Sequence, residues 1–410
     1  MLNIPPYQRI PNEIWLEILG QLPQGDHANV KLSSRMLLPV SRTLQFQIFK
    51  FYPYDIDYRT LQPQRVAQSD EDIIAALGRL EFWASEEIAH FVRRISLEPW
   101  CRPELGSTLA SSDSANYDTV VNTFFQKISL FVNLQTLDCF RIAFPQSSLQ
   151  QLSQLSVLKE LLIERCDISM ADPPSSLLRL KCLKFQHPTG THEQLEAEGA
   201  HRWLRFIDLP KLQSLKLLSP RGTTVFFYDL ATVGVMSSLR ALDISFGNAI
   251  PTLLIPILMM APALEILKAT FWGTPEPGHW TRMNALPSSP VPLLVEYCGP
   301  YELLRLIQPG KHLHRLTLSG LDGGKAPPLL ESLHPFRDAM KHVESLGLSL
   351  CDFSEPTFTA ICSVFANVKS LWLRVSYNDG SDLYAVRFTA RWMVQDTLTY
   401  ETDTLGFQHP

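Results

Sequence analysis

Leu239-Arg240-Ala241-Leu242-Asp243-Ile244 carries a pattern, φ-x-x-L-x-φ with φ apolar, that returns along most of the 410-residue chain. Toward the C-terminus it recurs from Leu264 to Ala269, Leu313 to Leu318, Val343 to Leu348 and Val368 to Leu373. Toward the N-terminus it recurs from Leu212 to Leu217, Leu180 to Phe185, Leu158 to Ile163, Leu134 to Cys139 and Val92 to Leu97. Leu293-Leu294-Val295-Glu296 reads as a degraded copy in the gap between 269 and 313. The central positions run from 95 to 371 over ten intervals, a mean of about 27.6 residues, with individual spacings from 22 to 42 away from the degraded copy.

Side chains alternate along a short strand, so the fourth and sixth residues of each copy face a core. The intervening segments carry helical apolar spacing, as in Tyr117, Val120, Val121, Phe124, Phe125 and Ile128. Each segment returns the chain to begin the next parallel strand. A repeat of this length cannot bury its own apolar face, whereas a stack of them buries a continuous one. The period lies in the range of leucine-rich repeats. The expected fold class is therefore α/β, a leucine-rich-repeat horseshoe solenoid with a parallel sheet, over residues 91–376.

Two copies end alike, in Cys166-Asp-Ile-Ser169 and Cys351-Asp-Phe-Ser354. Each cysteine stands where such repeats place Asn or Cys, and a buried thiol bonded to backbone is the expected role. Near the C-terminus Asn378-Asp-Gly-Ser381 reads as a turn. Tyr384, Val386, Phe388, Ala390, Trp392 and Val394 then alternate with more polar neighbours, so capping strands are expected over 377–410. Gly273 to Pro292 holds five prolines and reads as a long loop.

Residues 8–50 stand outside the repeat. Ile10-Pro11-Asn12-Glu13-Ile14 is a helix start with an acid in the first turn. Ile14, Ile18, Leu19 and Leu22 share one helical face, which Pro23-Gln-Gly25 ends. A second helix carries Val30, Leu32, Met36, Leu37 and Leu38 up to Pro39, and a third carries Leu44, Phe46, Ile48 and Phe49. Three helices in about 40 residues form a marginal unit, so an external partner is expected. Residues 51–90 read as a helical linker.

This N-terminal stretch resembles the F-box family. The resemblance rests on Ile10-Pro11, Glu13-Ile14, Ile18-Leu19, Leu32-Ser-Ser-Arg35 and Leu37-Leu38-Pro39. Ser41-Arg-Thr-Leu44-Gln-Phe46 continues like fungal members with irregular leucine-rich repeats. Against the family pattern, His27 replaces a Leu after Asp26, and Gly25 loosens the turn. The resemblance implies a small all-α module that docks on the Skp-type linker subunit of an SCF (cullin–RING) ubiquitin ligase, while the repeats hold a target protein. It puts Ile10, Pro11, Ile14, Ile18, Leu19, Leu22, Leu32 and Leu37 on the docking face.

Catalytic chemistry has no constellation to stand on, and no catalytic residue, cofactor or metal is expected. No G-x-S-x-G occurs. Gly323-Gly-Lys325 lacks both the first glycine and the following Ser or Thr of a phosphate loop. His187, His192 and Glu193 have no third metal ligand in place, and the acidic pair Glu86-Glu87 reads as the wet side of a helix. Seven cysteines are scattered with no C-x-x-C pair, which suggests neither a zinc ribbon nor a disulfide framework. A net charge of −5 gives no long-range field for nucleic acid or anionic lipid. Ala249 to Leu264 is apolar but broken by three prolines, so no membrane span is expected, and the chain reads as cytoplasmic or nuclear.

The informative surface is then the exposed side of the strands. Its fifth position reads Asp138, Leu162, Lys184, Lys216, Asp243 and Lys268 in successive copies. Lys184, Lys216 and Lys268 are candidates for contacting an acidic or phosphorylated target segment. Trp372 and Phe140 are candidate anchors.

Overall fold

The computed structural model describes residues 10–23, 25–33, 35–57, 64–65, 69–101, 114–145, 147–168, 176–186, 203–218, 230, 234–246, 251–271, 289–319, 333, 336–350, 355–375, 384–388 and 403–404. They belong to two compact units, residues 1–180 with 205–208 and residues 181–204 with 209–410.

The first unit begins with three helices, α1 (Asn12–Gly20), α2 (Asp26–Ser33) and α3 (Leu38–Gln45). Pro11 is the N-cap of α1, its carbonyl accepting from the amides of Ile14 and Trp15 at 3.1 and 3.2 Å. Pro39, expected to end the second helix, instead opens the third. The second helix stops at Ser33, a 3-10 turn spans Arg35–Leu37, and Pro39 sits in the first turn of α3. There a missing amide hydrogen leaves nothing unpaired and the fixed φ suits a helix.

Ile48 and Phe49, expected on the third helix, are in a strand. This strand, β1 (Ile48–Phe51), pairs in parallel with β2 (Arg94–Leu97). Phe49 and Phe51 point inward and are fully buried, while Ile48 stays 40% exposed. The parallel ladder therefore starts one strand before residue 91. The 51–90 segment carries helices α4 (Asp70–Trp83) and α5 (Glu86–Ala89) but also a strand at Asp55–Asp57. A capping box starts α4: Ser69 accepts from the Asp72 amide, and the Asp72 carboxylate accepts from the Ser69 amide. Next come α6 (Ser114–Lys127), β3 (Thr136–Phe140), α7 (Ser148–Ser153) and β4 (Glu160–Glu164). Phe49, Ile95, Leu137 and Leu161 stand in register across β1 to β4. On α6 Val120, Val121, Phe124 and Phe125 are buried, as is Ile128 just beyond it, so the helical spacing does mark a core-facing crossover.

The second unit stacks eight parallel strands. They are β5 (Cys182–Gln186), β6 (Ser214–Leu217), β7 (Ala241–Phe246), β8 (Ile266–Phe271), β9 (Glu296–Pro300), β10 (Arg315–Ser319), β11 (Ser345–Leu350) and β12 (Ser370–Val375). Helix α8 (Pro251–Met259) follows β7, and its Leu254, Ile257 and Leu258 are wholly buried. Helix α9 (Tyr301–Ile307) follows β9, α10 (Arg337–Met340) precedes β11, and α11 (Glu355–Val364) precedes β12. The ladder is closed by β13 (Tyr384–Phe388), antiparallel to β12 with Leu373 opposite Val386, and then by β14 (Asp403–Thr404). The expected terminal strand is thus present to Phe388; residues 390, 392 and 394 lie outside the described ones.

In both units the fourth and sixth residues of each copy form the core. Ile95, Leu137, Leu161, Leu183, Leu215, Leu242, Leu267, Leu316, Leu346 and Leu371 are all at most 2% exposed. Each such burial contributes roughly 2 kcal/mol of hydrophobic stabilisation before entropy is counted. The backbone repeats with equal regularity. The Gln213 carbonyl accepts from the amides of Arg240 and Ala241, the Arg240 carbonyl from Glu265 and Ile266, and the Glu265 carbonyl from Val295 and Glu296. One carbonyl per strand thus satisfies two amides of the next.

The degraded copy falls one residue later than expected. Its inward residues are Leu294 and Tyr297, with Gly299 at the sixth position. Tyr297 fills the space two side chains would share and donates to the Pro300 carbonyl at 2.6 Å. The expected thiol role is present at Cys166, which is 5% exposed. Its sulfur donates to the Cys139 carbonyl (3.3 Å) and accepts from the Ile142 amide (3.4 Å). Cys351, like His187, His192, Glu193 and the Gly323–Lys325 stretch, lies outside the described residues.

Candidate docking faces

Helix α1 divides its apolar residues between two surfaces. Leu19 turns inward and is 6% exposed. Ile14, Ile18 and Leu22 are 45%, 48% and 37% exposed, and they follow one another at four-residue steps. Residues so spaced lie above one another on one face of a helix, so Ile14 and Ile18 form a ridge, and Leu22 follows two residues beyond the end of α1. Pro11 is exposed at its head and Ile10 is partly exposed. Leu37 is half-buried in the 3-10 turn, and the side chain of Leu32 lies outside the described residues. Of the eight expected positions, Ile14 and Ile18 form the exposed ridge, with Leu22 exposed just past its end, whereas Leu19 belongs to the packing beneath it.

What holds that ridge in place is a polar staple. His27 is 6% exposed, and its Nε2 lies 3.0 Å from the Leu19 carbonyl oxygen. The Ser41 hydroxyl on α3 donates to the His27 carbonyl at 2.5 Å. A residue that departs from the family pattern thus ties the end of α1 to α2, and α2 to α3. No periodicity could have revealed this, because the bond is a backbone contact eight residues away.

The second face is the outward row of the strands. Lys184 stands directly beside Lys216, Lys216 beside Asp243, and Asp243 beside Lys268. The sequence alignment of these lysines is therefore a real row, but it is not a bare cationic one. Lys216 Nζ lies 3.8 Å from Asp243, and Lys268 Nζ lies 3.1 Å from Glu296, which Arg315 also approaches at 3.5 Å. Glu296 raises the Lys268 pKa, mainly by accepting its hydrogen bond. Trp372 is 37% exposed in the same row, with Cys298, Thr317 and Gly347 between it and Lys268. Four strand steps span roughly 19 Å, so the tryptophan and the lysines are separate features. In the first unit Phe140 is partly covered, with the guanidinium groups of Arg141 and Arg165 over its ring at 5.3 and 5.9 Å.

Among the described residues no group of three or more His, Cys, Asp or Glu is placed to hold a metal ion, and no helix is long and apolar enough to cross a membrane. No family model and no curated protein matches the chain. Among solved structures it is similar to a Bacteroides fragilis protein, a structural-genomics target, at 12% identity and a TM-score of 0.33, over 77% of this chain and 74% of that one.

Proposed function

We propose that the chain is a substrate-recognition adaptor of an SCF-type ubiquitin ligase, non-catalytic itself. In this reading the α1 ridge docks on the Skp-type linker subunit. The leucine-rich ladder, curved as a horseshoe, offers its exposed strand face to a target protein in the cytoplasm or nucleus. The observation that carries it is the exposure of Ile14 and Ile18 in one line on α1, with Leu22 exposed just past the helix end, while Leu19 on the same helix is buried. Isolated exposed apolar side chains need no explanation, but a contiguous ridge marks a contact surface. Its position coincides with the stretch that resembles the F-box.

The test is co-purification with a Skp-type subunit. The double variant Ile14→Asp/Ile18→Asp should lose at least tenfold in affinity, about 1.4 kcal/mol or more, because a carboxylate in an apolar contact is left without a partner. Its melting temperature should stay near that of the parent, since both sites face solvent. Leu19→Asp is the contrasting control and should unfold the helices themselves. Target capture is tested separately by reversing the charge of Lys184, Lys216 and Lys268 together, which should abolish it and leave Skp docking intact. Should the parent chain fail to bind the linker subunit while the strand face still captures a target, it is an interaction scaffold outside ubiquitin ligation.

A further inference from the structure

Helix α4 carries a second exposed apolar line, on a different element from the α1 ridge. Its inward side is conventional. Leu80 is fully buried, and Trp83 stacks on Phe49 with ring centroids 4.7 Å apart. Its outward side is not. Ile74 is 68% exposed and Phe82 54% exposed, with Gly78 midway between them. The three recur at four-residue steps, so they lie along one face over roughly 12 Å.

Gly78 is the informative residue. Glycine inside a helix costs about 1 kcal/mol relative to alanine. A close neighbour sometimes explains such a glycine, but here nothing lies within 4 Å of where its β-carbon would stand. The fold does not require it. Its effect is to leave an open notch between two large apolar side chains, the geometry that lets another helix approach closely.

The surroundings specify the visitor's charge. Asp70, Glu71, Glu81, Glu86 and Glu87 are exposed on α4 and α5, and among the described residues only Glu81 is matched by a nearby cation, Lys127 at 2.9 Å. Arg79 is turned aside: it donates to the Lys50 carbonyl at 3.0 Å and lies over the Tyr52 ring. A second copy of this chain would bring the same acids against these, and an anionic membrane surface would be repelled.

We propose that Ile74, Gly78 and Phe82 form a docking ridge for a basic amphipathic helix of a partner protein, with the apolar pair as anchors and the acids as its rim. Helix-on-helix recognition of this kind reads apolar residues at three- and four-residue spacing. The ridge is independent of the α1 surface and does not rest on the ubiquitin-ligase reading.

The probe is a fluorescein-labelled synthetic helix of about five turns, leucine on one face and lysine on the other. A twin with glutamate replacing lysine is the control. Titrated against the full chain and followed by anisotropy, the lysine peptide should bind saturably, weaken as salt rises, and outbind its twin by roughly tenfold or more. Ile74→Ser/Phe82→Ser keeps the charge and should reduce affinity at least tenfold. Gly78→Ala should raise the melting temperature yet weaken binding, a combination that a purely structural glycine would not give. Ile14→Asp/Ile18→Asp should leave peptide binding unchanged. Equal binding of both peptides, no binding at all, or full binding by the serine variant with a normal circular dichroism spectrum would overturn the proposal.

Discussion

At Gly299 an added β-carbon would stand 2.8 Å from the Tyr297 hydroxyl and 3.0 Å from both Cβ and the carbonyl oxygen of Ala269. The hydroxyl is held by its bond to Pro300 and the carbonyl is backbone, so neither can retreat freely. Gly299→Ala should therefore destabilise the chain by about 1–3 kcal/mol, as overpacking does, read from the midpoint of chemical denaturation. Gly347→Ala offers a comparison, since there the nearest atoms belong to the Thr317 side chain, which can turn, and the loss should be smaller. Equal effects at the two sites would show that the Tyr297 hydroxyl is not fixed. A second residue-scale consequence concerns Glu302, in the first turn of α9. Burial pushes its carboxyl above the usual range, more than its hydrogen bonds lower it. Such an acid binds its proton more tightly folded than unfolded, so its contribution to stability is present below the unfolded pKa and is lost as pH rises through the folded one. Glu302→Gln should therefore melt higher than the parent at neutral pH. The gap should close toward about pH 4, where the parent carboxyl is protonated; melts across that range that run parallel would refute this.

At the scale of elements, what could be read in advance depended on whether the signal was local. The strands were legible because the fourth position, leucine in every regular copy but the first, where it is Ile95, has one environment, the buried one. The weakest copy was misplaced because its sixth position is glycine and its fourth is tyrosine. A wider motif would have placed it. In most copies the residue three before the first φ is also buried, as Phe131, Leu155, Leu209, Met236, Ala261, Val291 and Met340 show, and its carbonyl accepts from the amide at the first φ; the copy at Leu180, with Leu177 45% exposed, departs from this. Val291 alone would have fixed Leu294 and Tyr297. Strand β1 was read as helix for a different reason. Phe46, Ile48, Phe49 and Phe51 fit either period over so few residues, and the partner that settles the matter, Arg94–Leu97, is 46 residues away. On α1 the spacing marked a broad apolar stripe but not which edge of it would pack. That is fixed by α3 and by the His27 bond to the Leu19 carbonyl, neither of which periodicity records. The row of lysines was legible, whereas their pairing with Asp243 and Glu296 was not, because those acids lie on neighbouring strands.

For the molecule as a whole the open question of any stacked ladder is how it ends. Stacked repeats gain stability from each neighbouring interface, so the last repeat has one interface too few and needs a cap. In the second unit that cap is β13, whose antiparallel register sets Phe388 against Leu371, Val386 against Leu373 and Tyr384 against Val375. Every other neighbouring pair in this unit's ladder up to β12 is parallel. The reversal matters because an antiparallel partner can follow through a short turn, with no further helix to bury. Leu371 and Leu373 are 2% and 1% exposed, and β12 would become an open edge if β13 were lost. An open parallel edge offers unpaired amides and carbonyls to any other chain. Ending the chain after Val375 should therefore lower the melting midpoint and make the protein self-associate as concentration rises, seen by light scattering coupled to size exclusion. The association should begin at β12, so Trp372→Lys, which puts a charge on that new edge, should suppress it without restoring the midpoint. A shortened chain that stays monomeric and melts where the parent does would mean that β12 closes the ladder unaided.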